Sequence, residues 1–95
     1  MQIQNKKVGD NGMFYIEQDG KVVAKMIYSM PVPGKMIIEH TEVDESLKGK
    51  NIGMQLFLHM AENARANHLM VIPHCAFTAA LFKKKPEYSD VLLKK

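Results

Sequence analysis

The chain has 95 residues, 46% of them hydrophobic and 24% charged. That length holds one small core, and the composition excludes disorder, collagen-like repeats and low-complexity scaffolds. No apolar run approaches the roughly 18 residues needed to cross a bilayer, and residues 1–7 lack the apolar stretch of a signal peptide, so the expectation is one cytoplasmic domain over residues 1–95 with no membrane partner. A single cysteine, Cys75, excludes an internal disulfide, and four scattered histidines give no zinc spacing, so no metal is expected. The net charge of +3 favours anionic ligands without choosing between nucleic acid and a phosphorylated cofactor.

The first half reads as an antiparallel meander. Residues 13–18 alternate polar with aromatic or β-branched side chains, and Asp19-Gly20 is a two-residue hairpin signal, because a type I′ turn needs positive φ at both central positions. Residues 21–30 return as a second strand, and Pro31, Val32, Pro33 and Gly34 break the pattern. A third strand follows over 35–43. Strict alternation puts Ile38, His40 and Glu42 on one face and Ile37, Glu39, Thr41 and Val43 on the other.

From Ile52 the period changes. Ile52, Leu56, Met60 and Ala64, flanked by Gly53, Phe57 and Ala61, form an apolar stripe at helical spacing, with Gln55, Glu62 and Arg65 facing away. The helix should run from about 51 to 66, with Asn67 supplying a left-handed stop. Residues 69–73 form a continuous apolar run, expected as a strand buried on both faces beside the third one, which makes the connection a right-handed parallel crossover. Residues 77–84 suit a short helix that Pro86 ends, while 88–93 carry no assignable pattern. The fold class is therefore mixed α+β: mostly antiparallel strands, then a strand-helix-strand unit and a short C-terminal helix.

The most informative segment is Leu47-Lys48-Gly49-Lys50-Asn51-Ile52-Gly53, between a strand and a helix start. Unpaired amides there, with the positive end of the helix dipole, can bind phosphate oxygens, and glycine lets the ligand approach the backbone. An ordinary glycine-containing loop with solvated lysines has the same letters.

Four motifs in order, Glu39-His40-Thr41-Glu42-Val43, the Leu47 to Gly53 loop, Ile72-Pro73-His74-Cys75 and Pro86-Glu87-Tyr88, resemble the small single-domain GCN5-related N-acetyltransferases of the YjdJ type. The resemblance implies a compact fold of that family, an acetyltransferase activity, and acetyl-coenzyme A with its pyrophosphate on the loop. Lys48 stands where the family has Arg or Gln, Asn51 replaces the first small residue and Gly53 keeps the last. Asparagine tolerates left-handed geometry and Lys48 retains charge, so binding is expected to survive both departures. The implied cofactor residues are Val43 beside the pantetheine arm, then Lys48, Gly49, Lys50, Asn51, Ile52, Gly53 and Met54, with Lys83 or Lys84 for the 3′-phosphate. The resemblance also makes Cys75 either the nucleophile or the acid that protonates the departing thiolate. His40 is either the group that takes a proton from the ammonium acceptor, the role its place in the motif supports, or a strand histidine satisfying a neighbour; Glu39 and Glu42 read first as solvated strand carboxylates, with orienting His40 or serving as base as the alternative.

The expected partner is an amine, small molecule or protein. The alternative is a coenzyme A-binding module without catalysis, motivated by Lys48, Asn51 and the lack of the bulkier N-terminal helices of larger family members. Nucleic acid is disfavoured, since only 7% of residues are aromatic and none interleave with the lysines. An exposed strand edge at 13–18 would permit pairing with another copy, giving a monomer or weak homodimer.

Overall fold

The structure, a computed structural model, describes residues 2–93. Five strands, β1 (Gln4–Val8), β2 (Asn11–Gln18), β3 (Lys21–Ser29), β4 (Lys35–Val43) and β5 (Met70–Pro73), lie in sequence order in one sheet. The first three pairings are antiparallel and β4 with β5 is parallel, so α1 (Ile52–Ala66) is the crossover; α2 (Ala76–Lys84) follows β5. This is the mixed α+β arrangement that the periodicities predict.

The Asp19-Gly20 hairpin forms with φ of 52° and 77°, as a type I′ turn requires. β1 is an addition to the sequence reading. Every one of its residues is exposed, so no alternation marks it, although Gly9, at φ 61°, opens a two-residue turn to Asn11. The expected free edge at residues 13–18 is therefore corrected: β2 is paired on both sides, and the lysine-bearing β1 is the edge. At the other border Leu92 forms a parallel bridge to Val71, and a 3₁₀ turn over Pro86–Val91 fills the stretch the sequence leaves unassigned.

The core lies between one sheet face and the two helices. Phe14, Ile16, Met26, Tyr28, Met36, Ile38 and Val71 meet Ile52, Leu56, Phe57, Met60, Ala61 and Ala64, the predicted stripe of α1, while Phe57 and Phe82 pack edge to face across the helices at 4.9 Å. The opposite face, with Met13, Tyr15, Ile27, Ile37 and Ile72, is only half-buried. That face corrects the expectation of a doubly buried β5, in which Val71 alone is fully enclosed.

α1 ends at Ala66 as expected, but the left-handed stop falls one residue later than Asn67. Asn67 caps at φ −104°, His68 takes the left-handed conformation at φ 56°, and Leu69 N–H donates to the Ala64 carbonyl at 2.8 Å, a Schellman closure.

Candidate active site

A bulge in β4 decides what the site contains. Ile38 opposes Tyr28 and His40 opposes Ile27, so Glu39 has no partner on β3 and the alternation inverts past it. Thr41 and Val43 consequently turn toward the helices, opposite Met26 and Ala24, while His40 and Glu42 turn to the outer face with Ile27 and Lys25. Simple alternation, which groups Ile38 with His40 and Glu42, is corrected by this one extra residue.

β5 pairs with β4 only as far as Ile38 opposite Pro73. The Ile38 carbonyl then accepts from both His74 N–H (3.0 Å) and Cys75 N–H (3.1 Å), and the chain turns away into α2. The edge of β4 beyond that point faces a cleft of about 510 Å³, a size ordinary for a small-molecule site, lined by Thr41, Val43, Leu47 to Gly49, Asn51 to Met54, Phe77, Leu81 and Lys84.

The loop on this cleft is pinned at both ends. Asp44 accepts from the Ser46 amide (2.9 Å) and hydroxyl (2.8 Å), starting a 3₁₀ turn over Glu45–Leu47 whose Leu47 is buried, and Ile52 is buried at the start of α1. Between these anchors Gly49 takes φ 82° with open space where a Cβ would stand, and Asn51 sits at φ 60°, ψ 30°. The Asn51 side chain makes no capping bond, so the first amides of α1 carry the helix dipole uncapped. Lys48 lies 3.0 Å from Glu45 on the rim, and Lys84 borders the cleft from α2.

Cys75 is the N-cap of α2 and half-buried, with its thiol donating toward Thr41 Oγ1 at 3.6 Å. Burial pushes the thiol up, but the Thr78 and Phe77 amides and the Thr41 and Thr78 hydroxyls stand where they favour the thiolate, which outweighs burial and holds the thiol below its ordinary value.

The sequence profile of the GCN5-related N-acetyltransferases matches residues 13–91. The chain belongs to that family. A GCN5-like N-acetyltransferase candidate from Staphylococcus aureus, solved by NMR, is 29% identical with a TM-score of 0.73, over 97% of this chain and 89% of that one. The ribosomal-protein-S18-alanine N-acetyltransferase of Escherichia coli shares the fold at a TM-score of 0.66 and 18% identity, over 82% of this chain and 53% of that one. Tetrahymena GCN5 shares it at 0.66 and 12%, over 93% and 63%. This acetyltransferase-family chain thus spans between half and two thirds of the length of those two enzymes. No curated protein matches its sequence.

Of the residues the sequence singles out, Val43, Lys48, Gly49, Asn51, Ile52, Gly53, Met54 and Lys84 line the cleft, whereas Lys50, Lys83 and Cys75 do not, Cys75 reaching it only through Thr41. His40 is brought elsewhere: its ring is 57% exposed on the outer face, with Nε2 3.6 Å from Glu42. Glu39 accepts from the Ser29 hydroxyl at 2.8 Å and lies 3.9 Å from His74 Nδ1, across the point where β5 parts from β4. Tyr88 is a packing residue, edge-on to Phe57, under the Arg65 guanidinium at 4.8 Å and bonded to Glu62 at 2.9 Å. Among the described residues no group of three or more His, Cys, Asp and Glu could hold a metal, and no helix is long and apolar enough to cross a membrane.

Sequence reasoning misses Thr41, Phe77 and Thr78. Thr41 is hidden by the bulge. Phe77 reads only as the start of a short helix, whereas it is 42% exposed and its ring occupies the space above Gly53, where an added Cβ would stand 2.4 Å from Cζ. Thr78 has a signal in hindsight, a hydroxyl three residues after an N-cap.

Proposed function

We propose that residues 1–95 act as one acetyl-coenzyme A-dependent N-acetyltransferase domain that transfers an acetyl group to a primary amine. One observation carries the reading: the free edge of β4 and the uncapped start of α1 line one cleft, and behind its wall the Cys75 thiol, held below its ordinary pKa, meets the cleft-lining Thr41 at 3.6 Å. The residues present fit the cofactor. Open space at Gly49, the unengaged side chain of Asn51 and the α1 amides suit a pyrophosphate, and Lys84 adds charge for a further phosphate. Val43, on the stretch of β4 that β5 leaves unpaired, offers backbone groups to the pantetheine amides.

The bound cofactor would supply the activated acetyl thioester; the remaining work falls to this chain. Cys75 either takes the acetyl group on sulfur or protonates the departing thiolate, and its depressed pKa serves both roles. The amine approaches from the outer face, where Glu39, His40 and His74 border the parting of β4 and β5, and His40 takes its proton with Glu42 beside it.

Calorimetric titration with acetyl-coenzyme A tests the cleft. Wild type should bind, and Lys84→Glu, which reverses charge on the rim without touching the helix start, should weaken affinity about tenfold. Cys75→Ala should keep binding while losing about 100-fold or more in acetyl transfer. Absence of binding to wild type would end the reading, and unchanged turnover in Cys75→Ala would remove the thiol from it. A second reading, a coenzyme A-binding module without catalysis, draws on the outward turn of His40 and the Lys48–Glu45 pairing. It would be supported by cofactor-dependent thermal stabilisation with no acetylation across a broad amine panel.

A further inference from the structure

Thr78 is the one fully buried polar residue of the core among the described residues, and its Oγ1 has no hydrogen-bond partner. Burying a hydroxyl without a partner costs about 1–3 kcal/mol, and a valine would fill the same volume without that cost. A threonine here therefore calls for a reason. It stands three residues after Cys75, the N-cap of α2, where an N3 side chain reaches back toward the cap. From the other side the Thr41 hydroxyl already meets the sulfur at 3.6 Å, turned there by the β4 bulge.

We propose that Thr41 and Thr78 are positioning residues that form a two-hydroxyl cradle for the Cys75 thiolate. The inference rests on the assignment of Cys75 as the reacting thiol. With Cys75 protonated, its S–H donates toward Thr41 Oγ1, leaving the rotatable Thr78 hydroxyl without a partner. When the S–H bond breaks and the proton leaves to solvent, sulfur becomes acceptor only. Both hydroxyls then rotate to donate to it, alongside the first amides of α2. The unsatisfied hydroxyl of the resting state is thereby satisfied in the charged one. The direction agrees with the depressed thiol, to which both hydroxyls contribute.

Charged groups do not explain the depression equally well. On β4 and after β5, Glu39 and His74 face one another on the outer side of the sheet. His40 and Glu42 pair on that same face. On α2, Lys83 and Lys84 lie in the last turn, away from the cap. Across the cleft, Lys48 is engaged by Glu45.

The test is the pH dependence of Cys75 alkylation by iodoacetamide, a readout that needs neither cofactor nor acceptor. Thr78→Val, close to isosteric, should raise the apparent pKa by about one unit and slow alkylation at neutral pH about tenfold; Thr78→Ser should restore the wild-type midpoint. Thr41→Val, at a half-buried position, should shift the midpoint in the same direction and carries the test if Thr78→Val does not fold. Wild-type midpoints in the folded valine variants would overturn the inference. Failure of the underlying assignment reads out separately, as unchanged acetyl transfer by Cys75→Ala in a chain whose alkylation midpoint still moves with Thr78→Val.

Discussion

Gly53 shows how one residue type can answer to two demands. In the family it resembles, the last small residue of the loop is tied to the pyrophosphate, yet in this chain the space beside it is taken by Phe77, whose Cζ would lie 2.4 Å from an added Cβ. The ring is 42% exposed and can swing, so the clash is relieved by moving Phe77 rather than the backbone. Alanine in place of a helical glycine gains up to about 1 kcal/mol in propensity. Gly53→Ala should therefore be close to neutral or destabilising in wild type, and stabilising by that amount in a Phe77→Ala background. A double-mutant cycle by urea unfolding should return a coupling of at least about 0.5 kcal/mol. Additive effects would mean that Phe77 does not constrain the position. The same contact means that a charged side chain at Gly53 would disturb α1–α2 packing as well as the charge of the loop.

Among the elements, the long periodic ones are legible from sequence and the irregular ones are not. The stripe of α1 is read residue by residue, because six buried positions at helical spacing leave little else for the segment to be. The Asp19-Gly20 turn is legible because its chemistry is local. The β4 bulge is not, since an extra residue is defined only by its partner strand, and missing it puts His40 with the core-facing Ile38 and hides Thr41 from the cleft. β1 escapes for a related reason: an all-exposed strand carries no period, and what holds it is a tertiary contact. The Tyr28 phenol crosses β2 above Gly12 and donates to Asn5 Oδ1 at 2.7 Å. A Cβ at Gly12 would stand 2.5 Å from the Tyr28 ring, which is 1% exposed and has nowhere to go. Gly12→Ala should thus cost about 1–3 kcal/mol by overpacking, and Asn5→Ala about 1 kcal/mol by leaving the phenol unpaired. Both should speed amide exchange in β1. Wild-type exchange in both variants would show that the backbone ladder alone holds the edge.

At the scale of the molecule, the helices cover one sheet face and the last turn straps that layer down. Arg65 on α1 donates to Asp90 at 2.9 and 2.7 Å and to the Glu87 carbonyl at 2.9 Å. It also stacks on Tyr88. Hydrogen bonding to Arg65 holds the Asp90 carboxyl below its ordinary range, and hydrogen bonds from the Ser46 amide and hydroxyl do the same for Asp44 at the entrance to the loop over residues 47–53. A carboxyl whose folded pKa lies below its unfolded one binds fewer protons in the folded state. Its stabilisation is present above the usual carboxylate range and is lost as pH falls through and below it. At the alkaline end burial raises the Tyr28 phenol, and the bond to Glu62 raises Tyr88. The folded state favours both phenols protonated, so their contribution is present below about pH 10 and is lost above it. The midpoint temperature plotted against pH should accordingly be level near neutrality and fall on both sides. Asp90→Asn removes the titrating partner of Arg65 while keeping an oxygen acceptor, so it should lower the plateau and flatten the acid limb between about pH 5 and pH 2. An acid limb as steep in Asp90→Asn as in wild type would place the acid sensitivity at the Asp44 turn instead, and with it the first loosening of the loop that leads into α1.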